Sequence, residues 1–357
     1  MKNIVLTGGG TAGHVTPHIA LLPSLREAGY TISYIGSKKG IERELIEKEG
    51  LPYYPISSGK LRRYFSLRNF TDPFRVLAGY FSSLRLLKKL KPDLVFSKGG
   101  FVSVPVVRAA GKLQIPVIIH ESDMTPGLAN RLSYGCATRI CCNFPETLPY
   151  LPEAKACLTG SPIRQELLTG DKNAALMRCG FTEDKPVLLV IGGSSGAKAI
   201  NDAVRASLDT LLADYQVLHL CGKGMLDPAL SDTPGYHEQE YAGKELKDYF
   251  AAASLVISRA GANSICEFVA LGLPNLLIPL PASQSRGDQI LNAKSFRKQG
   301  FSAVLPEEEL NEKTLPTAVS DLYANRQRYI DAMQKAPASD SIAIFMNLFE
   351  ECRKKTS

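Results

Sequence analysis

Two glycine turns bring together the residue types in this chain that can do chemistry. The first closes the run Ile4-Val5-Leu6-Thr7-Gly8-Gly9-Gly10-Thr11-Ala12-Gly13-His14 and the second the run Val187-Leu188-Leu189-Val190-Ile191-Gly192-Gly193-Ser194-Ser195-Gly196-Ala197. A glycine turn between strand and helix lets the backbone approach a ligand and leaves the helix's first N–H groups facing an anion. His14 puts an imidazole in the first turn, where it can take a hydroxyl proton; the competing reading is a structural histidine. Farther on, Ser258-Arg259-Ala260-Gly261-Ala262-Asn263-Ser264-Ile265-Cys266-Glu267 follows a strand and opens a helix, a second anion site. Glu267, one turn inside, can accept both hydroxyls of a ribose, or simply sit in the field of the helix N-terminus. The loop Ser283-Gln284-Ser285-Arg286-Gly287-Asp288-Gln289-Ile290-Leu291-Asn292 clusters amides and a carboxylate that suit sugar hydroxyls, or cap a helix.

Gly8-x-Gly10-x-x-Gly13 formally fits the dinucleotide fingerprint, but that fingerprint also needs an acid at the end of the second strand. Here that strand ends Tyr34-Ile35-Gly36-Ser37-Lys38-Lys39, which counts against NAD and leaves NADP open through the lysines. The second turn lacks the Gly-Lys-Ser/Thr ending of an ATPase loop. Two such turns about one domain length apart suggest a substrate held between two halves.

The elements that position these turns alternate. In the first half, strands are expected at 3–7, 31–36, 93–97, 116–120 and 138–142, with helices at 16–29, 40–49, 73–90, 102–112 and 126–134. In the second, strands fall at 187–191, 216–221, 255–258, 275–279 and 302–305, with helices at 197–213, 244–252, 262–271 and 287–298. Such alternation implies parallel sheets covered by helices on both faces. Prolines 145, 149, 152 and 162 bracket an interdomain linker, and residues 341–354 form an amphipathic helix.

A length of 357 residues suits two domains, and 45% hydrophobic with 22% charged residues is the composition of a folded protein. No apolar stretch reaches the ~18 residues of a membrane span, and Met1-Lys2-Asn3 leads straight into a strand, so a cytoplasmic location is expected. The eight cysteines show no paired C-x-x-C spacing and read as reduced thiols. Residues 1–160 carry 21 Lys/Arg against 11 Asp/Glu, while the remainder carries 21 against 24. That asymmetry points to an anionic partner for the first half. Between Lys60 and Lys91, nine cations alternate with Tyr64, Phe65, Leu67, Phe70, Phe74, Leu77, Tyr80 and Phe81 against the single acid Asp72. This pattern suits the surface of an anionic membrane, the competing reading being a solvated helix face. Nothing resembles a base-reading module, so nucleic acid is not an expected partner.

Taken in order, Gly-Gly-x-x-Gly-His, Gly-Gly-Ser-x-Gly-Ala, Ser-Arg-x-Gly-Ala with Glu267, then Asp288-Gln289 and Asn292 resemble the MurG family of bacterial N-acetylglucosaminyltransferases over nearly the full length. His120-Glu121-Ser122-Asp123 and Gly160-Ser161-Pro162-Ile163-Arg164 fall where that family carries His-Glu-Gln-Asn and Gly-Asn-Pro-x-Arg. The resemblance implies two Rossmann-like domains facing across a cleft, the GT-B glycosyltransferase fold. The first domain would be 1–162, joined by the helix at 341–357, and the second 163–340. It implies transfer of N-acetylglucosamine from UDP to the C4 hydroxyl of lipid I with inversion, on the cytoplasmic face of the membrane and without a cofactor. No Asp-x-Asp pair occurs, so the sequence does not call for a metal. Ser194 and Arg164 would hold the diphosphate, Glu267 the ribose, and Asp288, Gln289 and Asn292 the sugar; Gly243, Ala262, Asn263 and Ser264 would complete the donor site. Thr11, Ala12 and Gly13 would close over the donor and meet the acceptor, with His14 as base and Glu121 or Asp123 as alternative proton acceptors. Ala12, Ser122, Asp123 and Asp288 depart from the family pattern. The rivals are a transferase acting on another lipid, a UDP-N-acetylglucosamine 2-epimerase and a non-catalytic nucleotide-sugar-binding protein.

Overall fold

The computed structural model describes residues 2–59, 68–193, 196–285, 287–336 and 340–354. In chain order the strands are β1 (Lys2–Thr7), β2 (Tyr30–Ser37), β3 (Tyr53–Ile56), β4 (Leu94–Ser97), β5 (Val117–Glu121), β6 (Arg139–Cys142), β7 (Ala156–Leu158), β8 (Val187–Ile191), β9 (Gln216–Leu220), β10 (Tyr236–Gln239), β11 (Ala253–Ser258), β12 (Asn275–Leu277) and β13 (Ser302–Val304). The helices are α1 (Thr16–Glu27), α2 (Ile41–Lys48), α3 (Arg68–Leu90), α4 (Ser103–Lys112), α5 (Leu128–Arg131), α6 (Lys172–Cys179), α7 (Lys198–Ala206), α8 (Leu208–Asp214), α9 (Leu246–Ala252), α10 (Ala262–Ala270), α11 (Asp288–Lys298), α12 (Thr314–Ala324), α13 (Arg326–Gln334) and α14 (Ser341–Lys354). The chain divides into two compact units, Met1–Arg164 with Ala338–Ser357, and Gln165–Pro337. Each holds one parallel sheet, ordered β3-β2-β1-β4-β5-β6-β7 and β10-β9-β8-β11-β12-β13.

A parallel sheet is buried on both faces, so its central strands are continuous apolar runs whose alternate residues enter different cores. In β1, Ile4 and Leu6 join a core with α1 and α14, whereas Val5 joins the opposite core with α4. In β8, Leu188 and Val190 pack with α7 and α12, and Leu189 with α9 and α10. The C-terminal helix α14 belongs to the first unit: Phe345 and Phe349 are fully buried, each ring 5.2 Å from that of Phe96. At the rim of that core, Lys2, Tyr30 and Arg353 all donate to the Glu350 carboxylate. Burial raises the pKa of Glu350, but these donors more than offset it and hold the group at about 2.

Several elements differ from those expected. The strands β3, β7 and β10 went unforeseen, and all three are sheet edges. Their outer sides are open, so β3 tolerates Pro55 and β10 reads Tyr-His-Glu-Gln instead of an apolar run. The single helix expected at 197–213 is two, because the Ser207 hydroxyl donates back to the Ala203 carbonyl at 2.8 Å and to Glu312 O at 3.3 Å. The helix expected at 126–134 shrinks to α5 and a following 3-10 turn, with Ser133 donating to Ala129 O. Of three unforeseen helices, α6 carries both end signals: Asp171 accepts from the N–H groups of Asn173 and Ala174, and Gly180 is left-handed.

Phe349→Ala is expected to cost about 3–5 kcal/mol, the usual loss for a large side chain removed from a core. Amide exchange should accelerate in β1 and β4 but not in β8; unchanged protection in β1 and β4 would show that α14 adds nothing to the first unit's core.

Candidate active site

In an open parallel sheet the crossover helices of the two strands flanking the order reversal lie on opposite faces, which leaves a crevice beyond their carboxyl ends. Those strands are β1 and β4 in the first unit and β8 and β11 in the second. Both glycine turns named by the sequence leave such strands, as do the Lys98-Gly99-Gly100 turn and the Arg259–Gly261 turn.

In the first unit the two turns nearly touch. A Cβ on Gly100, whose φ is +81°, would stand 2.2 Å from the carbonyl oxygen of Gly9, so only glycine fits there. Thr11 is exposed, while Ala12, Gly13 and His14 are half-buried in a single 3-10 turn before α1. The Thr11 hydroxyl lies 3.0 Å from His14 Nδ1. When Nδ1–H donates to that hydroxyl, Nε2 is the bare, basic nitrogen. An acid does support the turn, though it is not on the second strand. Glu42, fully buried at the start of α2, accepts from Ser37 N at 3.1 Å and Gly10 N at 3.3 Å. Its carboxylate is therefore committed to the backbone of the turn, and sequence spacing alone gives no sign of it.

At the end of β5, Glu121 is 5% exposed and organises the loop that follows. Its Oε2 accepts from Gly127 N and Asn130 Nδ2, both at 2.8 Å, and its Oε1 from Asp123 N at 3.4 Å. Burial, chiefly, pushes its pKa up to about 7. Glu121, expected as an alternative proton acceptor, thus also fixes its loop from inside. Asp123 and Ser122 remain half-buried at its rim.

In the second unit, the turn after β8 enters α7, whose N-cap Ala197 offers no side-chain acceptor. Gly196, at φ +71°, is held where a Cβ would meet Cys221 O at 2.3 Å. Ser194 lies outside the described residues. The adjoining strand end is tied in by Ser258, whose hydroxyl donates to Ile191 O at 2.9 Å. Gly261 caps α10 without a side chain, and Ala262, Asn263 and Ser264 form its first turn, so their N–H groups offer an anion site. Glu267 is half-buried on the next turn. Arg259 donates to Ile278 O and pairs with Glu307, which holds the strand end and makes it a structural cation. Gly243 is exposed in the loop before α9. Asp288 and Gln289 start α11, and Gln289 Oε1 accepts from Leu280 N at 3.0 Å, leaving its amide nitrogen as the end that can donate outward. Asn292, expected at the sugar, is fully buried and donates to Ala260 O at 3.2 Å, bracing the Arg259–Gly261 turn from beneath. Arg164, half-buried, is the last residue of the first unit's main segment.

With its pKa raised, Glu121 stabilises the fold fully below its ordinary value of 4.5, and this contribution is lost as pH rises through about 7. His18 and His120, buried and held well below 6.5, act in the opposite sense, so the test is a difference. The stability of wild type minus that of Glu121→Gln should fall across this window in urea titrations followed by exchange of β5 amides. A difference independent of pH would show that another group titrates.

Residues 4–142 match the glycosyltransferase family 28 N-terminal domain and residues 187–347 its C-terminal domain. A protein of Lachnospira eligens named UDP-N-acetylglucosamine–N-acetylmuramyl-(pentapeptide) pyrophosphoryl-undecaprenol N-acetylglucosamine transferase is 66% identical over 354 residues, 99% of this chain and 100% of its own length. The protein of the same name from Lachnoclostridium phytofermentans is 60% identical over 355 residues, again 99% of this chain and 100% of its own. The crystal structure of Acinetobacter baumannii MurG superposes with a TM-score of 0.76 at 27% identity, covering 98% of this chain and 100% of that one. A UDP-GlcNAc 2-epimerase from Methanocaldococcus jannaschii shares the fold alone, with a TM-score of 0.66 at 14% identity over 98% and 99% of the two chains. The chain therefore belongs, over its full described length, to the MurG family of glycosyltransferases, built from two Rossmann-like α/β domains of the GT-B type.

Proposed function

We propose that this protein transfers N-acetylglucosamine from UDP-N-acetylglucosamine to the C4 hydroxyl of lipid I, giving lipid II for peptidoglycan synthesis. Family membership along the whole chain carries the reading, and the residues at the two order reversals give it a chemistry. The new bond joins the acceptor oxygen to the anomeric carbon as the bond from that carbon to the UDP oxygen breaks, with inversion. His14 Nε2 takes the hydroxyl proton while Thr11 holds Nδ1. The leaving diphosphate gathers negative charge, which the uncapped N-termini of α7 and α10, with Arg164 and Ser194, are suited to stabilise. Glu267 accepts from the ribose hydroxyls, and Gln289 with Asp288 meets the sugar.

We assign the lipid side to the first unit and its docking to an anionic membrane surface. No helix among the described residues is long and apolar enough to cross a membrane. On α3, however, Phe74, Leu77 and Phe81 are 74%, 53% and 53% exposed at spacings that share one face, which continues into exposed Arg85 and Lys88. The helix packs on α4, and the groove between them, lined by Val76, Tyr80, Pro105 and Arg108 among others, encloses about 450 Å³. Apolar anchors followed by cations fit the headgroup boundary of an anionic bilayer. Lys60, Arg62 and Arg63, expected to add to this surface, lie outside the described residues.

His14→Ala should lower kcat by roughly 10²–10⁴-fold while leaving UDP affinity near wild type. Steady-state kinetics with a lipid I analogue decide it; near-normal turnover would pass the proton to Asp123. Glu267→Ala should raise the donor KM by roughly 10–100-fold, as expected for loss of hydrogen bonds to a charged group, and unchanged donor kinetics would remove the ribose assignment. Phe74→Ser with Phe81→Ser should abolish flotation with anionic vesicles, and Lys88→Gln with Lys89→Gln should weaken its salt dependence. Both pairs should spare turnover of a short-chain soluble acceptor. Equal losses on short- and long-chain acceptors would move α3 from membrane docking into the acceptor site.

A further inference from the structure

A lysine ammonium lies inside the first unit, beneath the loops that surround His14 and Asp123. Lys98 follows β4 and is 1% exposed, although nothing in the packing of a parallel sheet calls for a cation there. Burying an ammonium is costly unless its protons find acceptors. Its neighbours include His120 Nδ1 at 2.5 Å and the Ser122 hydroxyl at 2.7 Å. The stem of the same side chain runs under the first glycine turn, where a Cβ on Gly8 would stand 3.3 Å from Lys98 Cβ and 3.4 Å from His18 Cε1. One residue thus touches the turn after β1, the end of β5 and the segment that leads to Asp123.

With Lys98 as the charged donor, Nδ1 of His120 must be bare, which makes the ring neutral with its hydrogen on Nε2. Burial and then the Lys98 charge both press the pKa of His120 downward, in keeping with that form. Phe345 of α14 closes the other side of the ring, edge-on at 5.0 Å. Ser122 is short enough to leave space for the ammonium; a longer side chain folded inward would displace it.

We propose that Lys98 is a positioning residue, whose bridge from His120 to Ser122 locks the end of β5 and the Asp123 segment against the turn that bears His14. It thereby sets the acceptor-side geometry and takes no part in donor binding. The proposal rests on the reading of this unit as the acceptor side.

The test uses the full chain and the variants Lys98→Met, Ser122→Ala and their combination. With 15N-labelled histidine, wild type should show His120 as the Nε2–H tautomer, and Lys98→Met should shift it toward a mixture. Lys98→Met should raise the KM for a lipid I analogue by roughly tenfold or more, the scale of one charge-assisted hydrogen bond, while the donor KM stays within about twofold. Ser122→Ala, which keeps the His120 contact, should give a smaller rise in acceptor KM with the tautomer unchanged. The double variant should be no worse than Lys98→Met. An unaltered tautomer in Lys98→Met, a parallel rise of donor and acceptor KM, or strictly additive losses would overturn the proposal. If Lys98→Met fails to fold, Ser122→Ala decides, and a wild-type acceptor KM there overturns it. Wild-type protein inactive on lipid I would overturn the functional reading alone, because the tautomer is read without turnover.

Discussion

The approach of two backbones at the order reversal of the first sheet governs most of what surrounds it. Gly100 and Gly9 stand so close that neither turn can shift without the other, and interiors packed to this density pass displacements on instead of absorbing them. The turn after β1 carries His14, and the turn after β4 begins with Lys98, whose ammonium reaches the end of β5. Glu42 closes the arrangement from below through Ser37 and Gly10. A set of side chains from four separate segments is thereby referred to one point of main-chain contact. The second unit achieves the same end by a hydroxyl, Ser258 on Ile191 O, and by the buried amide of Asn292.

Burial also sorts the titratable groups of the first unit. His18 and His120 are driven neutral, and Glu121 is pushed toward the protonated form. Their lone pairs and protons are spent on the loop or lie within the core, whereas His14 and Asp123 keep partial exposure. Desolvation thus sets the charge state of three groups of acid–base type in this unit.

How much of this was legible follows from what each element is built of. Buried central strands are long apolar runs, and a glycine cluster at the end of such a run marks a backbone that must turn tightly and stay bare. Both sheets, both turns and the helix of Glu267 could therefore be read directly. Edge strands such as Tyr236–Gln239 satisfy one neighbour and leave the other side open, so their sequences carry no equivalent run. Glu42 and Lys98 were invisible for a different reason. Each acts on residues brought to it by the sheet, across 32 positions from Gly10 to Glu42 and 22 from Lys98 to His120, and neither stands in a local pattern. Asn292 was legible as a residue that matters, but not the hydrogen bond its amide gives to Ala260 O, 32 positions away.

The place of α14 has a consequence for how the protein comes into being. The first sheet is synthesised early, but the apolar face formed by Ile4, Leu6 and Phe96 is covered by Phe345 and Phe349. These residues leave the ribosome only after the whole of Gln165–Pro337. A nascent chain therefore carries an incomplete first unit while the second, contiguous in sequence, can already close. Although N-terminal domains usually fold first during synthesis, the core of this one is complete only when the last helix has been made. A truncation that removes only α14 would thus wound the earliest-made part of the molecule, and the open face of β1 and β4 is where a chaperone would have to wait.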